Sequence, residues 1–227
     1  MTLAAGAAHA GNLLTDSFDS ENGGLSKLNY TGFANFNPTG NVDLVATPDF
    51  NITCAGGAGS CVDLAGTPGP GRITSKNFYA VAAGSKVTLS FDVSGNQRVD
   101  AANSIYAGFF FASNTTISDY TLGGGFGSGD IISAPFLTSS ISTGTLTSGE
   151  NQPFTNYSLT FTAVDGGNVQ LFIGTDETSV FGPVLDNVSL SATGVPEPAS
   201  WALMLVGFGG LGAAIRGARR RTVSTAA

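Results

Sequence analysis

The residue types that most often carry out catalysis are sparse in this chain of 227 residues. The one histidine is His9, so residues 11–194 cannot supply a Ser-His-Asp or Cys-His arrangement or a zinc site built on imidazole. Acidic residues are scattered singly, and the one adjacent pair, Asp176 and Glu177, indicates a turn more than a glycosidase pair. The glycine-rich run at 123–129 has no following lysine, which disfavours a phosphate-binding loop. We predict that the protein is not an enzyme.

The two cysteines lie close together in the sequence. Cys54 and Cys61 bracket the flexible segment Ala-Gly-Gly-Ala-Gly-Ser, which a disulfide closes readily in an oxidising compartment. The alternative is a two-cysteine metal site, but no other soft ligand lies nearby in the sequence. We predict a disulfide, which should stabilise so short a loop by only about 2–3 kcal/mol.

Net charge limits the possible partners. Residues 11–194 contain five Lys and Arg against fifteen Asp and Glu, a net charge of −10. The whole chain carries −7 because four arginines and Glu197 lie after residue 194. A surface this acidic is a poor partner for nucleic acid and for anionic lipid. It is compatible with calcium, although an acidic surface also serves solubility alone.

Aromatic residues offer the remaining binding chemistry. Sugar-binding surfaces stack exposed aromatic rings on pyranose faces, and polar side chains complete the hydrogen bonds. Tyr30, in a polar Asn-rich segment, and Tyr79, near a strand end, are our candidates for ligand binding; packing of partly buried loop residues is the alternative. The single tryptophan, Trp201, lies near the C-terminus, which weakens a sugar-binding platform. Most of the sixteen phenylalanines are expected in the core, including Phe91, Phe161, Phe172 and part of 109–111.

The periodicity of residues 11–194 is that of β-strands. Alternation of apolar and polar residues predicts strands at 87–94, 157–163, 169–173 and 185–190. The nearly continuous apolar run at 105–112 predicts a strand buried on both faces, and 113–152 is expected to be a long loop with short strands inside it. Glycine-rich and Asn/Asp-rich stretches separate these segments. The pattern predicts an all-β fold, an antiparallel β-sandwich.

The N-terminal residues differ from this domain. Residues 1–10 are small and apolar, and Ala8-His9-Ala10 fits the small-x-small pattern that precedes signal-peptide cleavage. We interpret residues 1–10 as the remnant of a signal peptide whose true start lies upstream. Cleavage after Ala10 would leave residues 11–194 as one exported β-sandwich domain.

The C-terminal tail combines three unlike features in a fixed order. They are the motif Pro196, Glu197, Pro198 and Trp201, the uncharged run at 201–215, and the basic cluster Arg219, Arg220 and Arg221. The run is short of the ~20 residues that cross a bilayer core without distortion, yet its glycines suit a membrane helix and the arginines mark a cytoplasmic end. The prolines keep the preceding segment extended and accessible. A plain C-terminal anchor, or a buried core helix with a basic tail, is the alternative.

Together these features resemble the PEP-CTERM sorting signal of Gram-negative bacteria, in its Pro-Glu-Pro-x-x-Trp-Ala form, over residues 195–221. The resemblance implies recognition by exosortase, a membrane-embedded cysteine protease or transpeptidase, and association with exopolysaccharide. It implies an intermediate anchored in the inner membrane by a transmembrane helix, and then delivery to the cell surface or extracellular matrix. Residues 222–227 are expected to form a disordered tail.

Three segments of the domain resemble galactose-binding-like, carbohydrate-binding-module-type jelly rolls. Residues 12–19 (Asn-Leu-Leu-Thr-Asp-Ser-Phe-Asp) resemble their opening strand, residues 83–98 their central strand and residues 182–190 their closing strand. The resemblance implies the jelly-roll form of the β-sandwich, with a hydrophobic helix following it at the C-terminus.

The same resemblance implies a structural Ca²⁺. In such jelly rolls an acid that closes the first motif and an acid of the last strand often hold the ion, because the two strands are neighbours. Asp19 and Asp186 occupy the matching positions, and Glu21 or Asp16 could add a carboxylate to the oxygen ligands that calcium needs. The alternative is that Asp19 and Asp186 cap turns or accept hydrogen bonds from loop amides.

We therefore expect an exported, exosortase-sorted protein of the cell envelope or extracellular matrix. Its β-sandwich should be non-catalytic, with a structural or adhesive role associated with exopolysaccharide. A specific carbohydrate-binding, lectin-like module is the alternative function. A third class, an envelope glycoside hydrolase, is disfavoured by the absent histidine and the scattered acids.

Overall fold

The computed structural model describes residues 11–98, 103–112, 116–123, 140–142, 146–148, 153–194, 206–212 and 216. These residues form fourteen strands and three short 3-10 helices, Glu21–Gly24, Asp49–Asn51 and Ala55–Gly57. The strands are β1 Gly11–Asp16, β2 Phe36–Gly40, β3 Asp43–Ala46, β4 Ser60–Asp63, β5 Gly71–Ser75, β6 Tyr79–Val81, β7 Lys86–Ser94, β8 Asn103–Phe111, β9 Ile117–Gly123, β10 Ser140–Ser142, β11 Leu146–Ser148, β12 Thr155–Ala163, β13 Gly167–Gly174 and β14 Val184–Ala192.

The strands form two sheets in which every pairing between described strands is antiparallel. The first sheet has the order β3-β4-β14-β7-β12-β9, and β1 also pairs with β14. The second sheet has the order β10-β8-β13-β5-β2, with β11 beside β8 and β6 beside β13. The predicted antiparallel β-sandwich is confirmed, as is the neighbourhood of the opening and closing strands.

The core lies between the two sheets and follows the predicted alternation. β7, β12 and β14 turn one set of alternate residues inward, so that Leu89 is paired with Leu159 on one side and Leu190 on the other. Phe161 of β12 meets Phe109 and Phe111 of β8 edge-on, at centroid distances of 5.1 and 5.7 Å. These rings join the first sheet to the second.

Strand β8 is the one predicted strand whose surroundings differ from expectation. Ile105, Ala107, Phe109 and Phe111 lie in the core, but Tyr106 and Phe110 on the opposite face are partly exposed. The prediction of a strand buried on both faces is therefore wrong, because no described layer packs fully over the second face. Apolar character alone did not reveal the alternation, since both faces of this strand carry apolar residues.

Several strands were not predicted because they are too short to show a period. β2 to β6 have three to five residues each, and turns or 3-10 helices separate them from one another. The short strands expected within 113–152 are found as β9, β10 and β11, of which β9 forms an edge of the first sheet.

The predicted disulfide joins Cys54 to Cys61, with Cα atoms 5.5 Å apart. Both cysteines are buried beside Val45, Ile52 and Val184 in a small second core. Because both thiols are used in the disulfide, the two-cysteine metal site is ruled out for this oxidised protein.

The chain divides into two units, one formed by His9–Gly194 and the other by the remaining residues. In the C-terminal apolar run, residues 206–212 and residue 216 are helical and exposed. Within the described part of the chain, no helix is both long enough and apolar enough to cross a membrane. The sorting residues Pro196, Glu197, Pro198, Trp201 and Arg219 to Arg221 lie outside the described residues, as do residues 1–10 and 222–227.

Candidate functional site

The outer face of the first sheet is polar and bonded within itself. Thr88 of β7 and Thr160 of β12 are paired, with their hydroxyl oxygens 3.0 Å apart. Four residues further along each strand, the Asn156 amide donates a hydrogen bond to the Asp92 carboxylate at 2.7 Å. Such a face is typical of a solvated sheet surface and offers little unused binding capacity.

The outer face of the second sheet is aromatic. Tyr106 and Phe110 of β8 and Phe172 of β13 point away from the core on neighbouring strands. The Phe172 ring centroid lies 4.6 Å from that of Phe110 and 6.2 Å from that of Tyr106. Phe172 is only 5% exposed, whereas Tyr106 and Phe110 are partly open to solvent. We call Arg72, Thr74, Tyr106, Phe110 and Phe172 the aromatic face.

A glycine makes room for the tyrosine of this face. Gly174 of β13 is paired with Tyr106, and a Cβ added at Gly174 would lie only 2.7 Å from the Tyr106 hydroxyl oxygen. The same Cβ would lie 2.9 Å from Cβ of Arg72. A larger residue would therefore displace both side chains, and the glycine allows them to lie close over the strand.

Strand β5 adds polar groups beside the rings. The Arg72 guanidinium lies 5.7 Å from the Phe110 ring centroid and 5.8 Å from that of Phe172, within the range of a cation–π contact. Arg72 Nε and Thr74 Oγ1 are both buried without a hydrogen-bond partner. Arg72 and Thr74 are two residues apart on β5, so their side chains lie on the same face of the sheet. Both unpaired atoms therefore lie on the aromatic face. A cluster of rings with a few polar groups beside it is typical of a binding site for a small or extended ligand.

The hydroxyl of Tyr106 remains protonated at neutral pH. Burial raises its pKa above the usual 10.0, the carboxylate of Asp176 raises it further, and the Arg72 guanidinium lowers it. Tyr106 therefore offers a neutral hydroxyl that can both donate and accept a hydrogen bond at the margin of the aromatic face.

The two tyrosines that we predicted as ligand-binding residues are not part of this face. Tyr30 is 8% exposed, its ring meets Phe33 edge-on at 4.7 Å, and its hydroxyl donates to Glu21 Oε2 at 3.3 Å. Tyr79 is half-buried against the core, on the strand face that also buries Val81. Tyr30 has no exposed ring face on which a sugar could stack, so that prediction is corrected.

The sequence contains only a weak signal for the aromatic face. Phe172 was expected in the core because its segment alternates, but its neighbours Leu171 and Ile173 are the residues that point inward. Within 104–110, Tyr106 and Phe110 occupy alternate positions, which could have indicated a second face. Their juxtaposition with Arg72 depends on strand pairing over long sequence separations and could not be predicted locally.

A second cluster of interest surrounds Asp186, near the start of β14. Its carboxylate accepts hydrogen bonds from the amides of Asn187 at 2.7 Å and Ala55 at 3.0 Å. Burial raises its pKa from the usual 3.8 to about 7, the two amide bonds lower it, and the charges of Asp19 and Asp92 raise it. Asp186 is therefore a buried acid close to other negative charges, a situation that a cation would relieve.

Asp19 contacts the same disulfide loop as Asp186. Asp19 Oδ1 accepts a hydrogen bond from the Ser60 amide at 2.9 Å. Gly59 has a φ of +77°, and a Cβ there would lie 1.9 Å from Asp19 Oδ1, so only glycine allows this approach. Asp19 and Asp186 therefore both accept hydrogen bonds from amides of the disulfide loop. This is the arrangement expected if the two acids hold the loop in place and do not bind calcium.

The other two predicted calcium ligands are engaged elsewhere. Buried Glu21 accepts hydrogen bonds from the Ala34 amide at 2.6 Å and from Tyr30, and Asp16 accepts from the Phe18 amide and the Asn35 side chain. Among the described residues, the potential metal ligands that lie close together are Cys54, Cys61 and Asp186, but the two cysteines are joined in the disulfide and leave Asp186 as the one free ligand of the three. The structure therefore does not bring Asp19, Glu21 and Asp186 together as a set.

We expect the raised pKa of Asp186 to appear in the pH dependence of stability. The folded protein keeps the Asp186 proton to a higher pH than the unfolded chain does, so unfolding releases a proton between about pH 4 and 7. The contribution of Asp186 to the free energy of unfolding must then fall as pH rises through this window, by at most about 1.4 kcal/mol per pH unit. Urea unfolding of wild type and Asp186→Asn in chelator, at several pH values, measures the difference. Parallel pH dependences would show that Asp186 titrates normally.

Calcium binding stays a prediction, now limited to Asp19 and Asp186. A cation bound to the folded protein alone would raise the melting temperature by mass action and would remove the penalty of the charged Asp186. Thermal unfolding with calcium and with chelator, on wild type and Asp186→Ala, should show a calcium-dependent increase in wild type only. Four identical melting temperatures would contradict the prediction, and a magnesium series controls for ionic strength.

The described domain is an antiparallel β-sandwich with one aromatic, arginine-containing outer face. The C-terminal tail is similar to a known export signal. Residues 194–221 match the PEP-CTERM protein-sorting motif, which confirms the resemblance predicted from the sequence. The motif implies export through a membrane-anchored intermediate and processing by an exosortase. A search of curated proteins finds no match to the chain.

Two solved structures are similar to the domain in fold. The first contains the CBM22-1 and GH10 modules of endo-1,4-β-D-xylanase 10B from Clostridium thermocellum, complexed with xylohexaose, at 17% identity and a TM-score of 0.44. The match covers 81% of this chain and 29% of that one. The second is the CBM22-1 xylan-binding domain of Xyn10C from Paenibacillus barcinonensis, at 11% identity and a TM-score of 0.41, covering 84% of this chain and 99% of that one. We infer no ligand from either likeness.

Proposed function

We propose that this protein is a non-catalytic polysaccharide-binding protein, exported and sorted by an exosortase to the cell surface or extracellular matrix. Binding of exopolysaccharide there would attach the protein to the matrix and give it a structural or adhesive role. The sorting motif supports the compartment, and the domain itself supports the binding activity.

The observation that carries the binding activity is the aromatic face. Tyr106 and Phe110 leave part of their aromatic surface open to water, which costs free energy unless a partner covers it. The polar outer face of the first sheet shows that an outer face of this fold need not be aromatic. The apolar C–H faces of sugar rings pack well on aromatic rings, while Arg72, Thr74 and Tyr106 can bond sugar oxygens. This arrangement favours carbohydrate binding over a purely structural role.

A binding role without catalysis is consistent with the chemistry that the domain contains. Residues 11–194 have no histidine. Among the acids of the described residues, the two with strongly raised pKa values, Asp63 and Asp186, lie outside the aromatic face. Asp63 forms an ion pair with Arg98, and Asp186 bonds the disulfide loop. Both acids have structural partners, as expected for groups that hold loops in place.

We expect Tyr106→Ala and Phe110→Ala to weaken polysaccharide binding by about tenfold or more each, because central aromatic contacts commonly contribute over 1 kcal/mol. Affinity electrophoresis in gels containing the exopolysaccharide of producing cells, and then purified polysaccharides, measures the retardation. Phe50→Ala is the matched control, since this ring is 45% exposed in the 3-10 helix beside β3 of the first sheet. Equal binding by all three variants, or no retardation of wild type, would contradict the proposal.

A further inference from the structure

Arg72 is unusual among the basic residues of this acidic domain. The domain has five basic residues, and the ion pair among the described residues joins Arg98 to Asp63. Lys76 donates to the backbone carbonyl of Phe33, and Lys86 is exposed at the start of β7. Arg72 lies between aromatic rings with no carboxylate of the described residues in contact with it. Among the described residues it is therefore a cation with no carboxylate bonded to it, on the one face that we propose binds sugar.

The two unpaired polar atoms of the aromatic face indicate which hydrogen-bonding groups a ligand must bring to them. Arg72 Nε can only donate a hydrogen bond, so its partner must be an acceptor, whereas Thr74 Oγ1 can donate and accept. A buried polar group left unpaired destabilises the folded protein, so a ligand or ordered water is expected to satisfy both atoms. An arginine positioned over two rings can present its planar guanidinium for the two-point recognition of a carboxylate.

We propose that the polysaccharide bound by the aromatic face is acidic, and that Arg72 recognises the carboxylate of a uronic acid residue while Thr74 bonds a neighbouring hydroxyl. This inference rests on the proposed function and specifies its ligand class. Phe110 and Phe172 hold the guanidinium in place, and Tyr106 stacks with the adjoining sugar.

The negative charge of the domain means that an acidic polymer must be recognised at Arg72 and not attracted by the domain as a whole. The domain carries −10 overall, so its long-range field repels a polyanion and cannot by itself hold one. Asp176 is exposed and close enough to Tyr106 to raise its pKa, and it places a like charge at the margin of the face. Binding of an acidic chain should therefore depend on Arg72 and should be opposed by Asp176.

The test compares acidic polysaccharides with their own neutral forms. Polygalacturonate, alginate and hyaluronate are offered to the full chain in affinity gels, each beside a carboxyl-reduced preparation, together with neutral xylan and glucan. Wild type should bind at least one acidic polymer and lose at least about tenfold in affinity when its carboxyl groups are reduced. Arg72→Gln should weaken binding of the acidic polymer by about tenfold or more, with Arg72→Lys in between because it keeps the charge but not the planar donor pair.

Two further variants separate local recognition from general charge and from misfolding. Lys86→Gln removes the same charge from an exposed position on the first sheet and should leave binding unchanged. Asp176→Asn removes the opposing charge from an exposed loop, so it should fold normally and should strengthen binding of the acidic polymer about two- to fivefold. Thermal unfolding checks that each variant is folded.

The outcomes distinguish this inference from the proposed function. Binding of neutral polymers only, or binding that survives carboxyl reduction, would overturn the acidic ligand and leave polysaccharide binding intact. Equal losses in Arg72→Gln and Lys86→Gln, or no gain in Asp176→Asn, would also overturn it. Failure of wild type to bind any polymer would overturn both.

Discussion

Replacing Glu197 with alanine is expected to abolish the C-terminal processing of this protein completely. Glu197 is the charged residue of the Pro-Glu-Pro motif within the matched sorting signal at 194–221, and the flanking prolines favour an extended backbone that a protease can bind. In cells with the matching exosortase, mass spectrometry of the surface or released protein should show wild type cleaved near Pro196-Glu197-Pro198. The Glu197→Ala protein should instead keep the arginine-rich tail and stay with the membrane.

Two controls make this result specific. Asp165→Ala removes an equal charge from an exposed turn of the sandwich and should be processed normally. Wild-type protein in a host without exosortase should behave as Glu197→Ala does. Detection of the intact Arg219-Arg220-Arg221 tail on mature secreted wild type would show that the motif is not used.

Phe161→Ala should have the largest effect on stability, a loss of about 3–5 kcal/mol in the free energy of unfolding. Phe161 is fully buried on β12 and contacts Phe109 and Phe111, which belong to the other sheet. Truncation removes two edge-to-face contacts and leaves a cavity where the sheets meet, in a core too densely packed to collapse around it. Because domains are stable by only about 5–15 kcal/mol, the variant should be close to unfolding at physiological temperature.

Urea unfolding followed by far-ultraviolet circular dichroism measures this loss. Phe78→Ala is the matched control, since its ring is 48% exposed and its removal should change stability by no more than about 0.5 kcal/mol. Equal losses in the two variants would mean that Phe161 does not join the sheets. Phe161→Leu, which keeps much of the apolar volume, should fall between them.

The long strands were predictable because each has one face in the core. In β7, Val87, Leu89, Phe91 and Val93 alternate with polar residues, and this alternation also determines which side chains enter the core. The disulfide was predictable because eight residues with a glycine-rich centre close easily. The sorting signal was predictable because its recognition depends on a short linear motif and not on the fold.

Local sequence could not predict the shortest strands or the aromatic face. β2 to β6 are held by pairing with distant strands, so their few residues show no period of their own. Tyr30 lies in a polar segment but is buried, because its hydroxyl meets Glu21 and its ring meets Phe33 within the fold.

By itself, then, the sequence determined the class of fold, the disulfide and the export route of this protein, all of which depend on neighbours along the chain. Only the tertiary structure brought together the residues of the aromatic face. Arg72, Tyr106, Phe110 and Phe172 come from three strands, and Arg72 is a hundred residues from Phe172 in the sequence. The antiparallel pairing of β5 with β13 and of β13 with β8 places them side by side. Pairing register depends on the packing of the whole sheet, and a one-residue shift of any of these strands would turn its side chains on this face into the core.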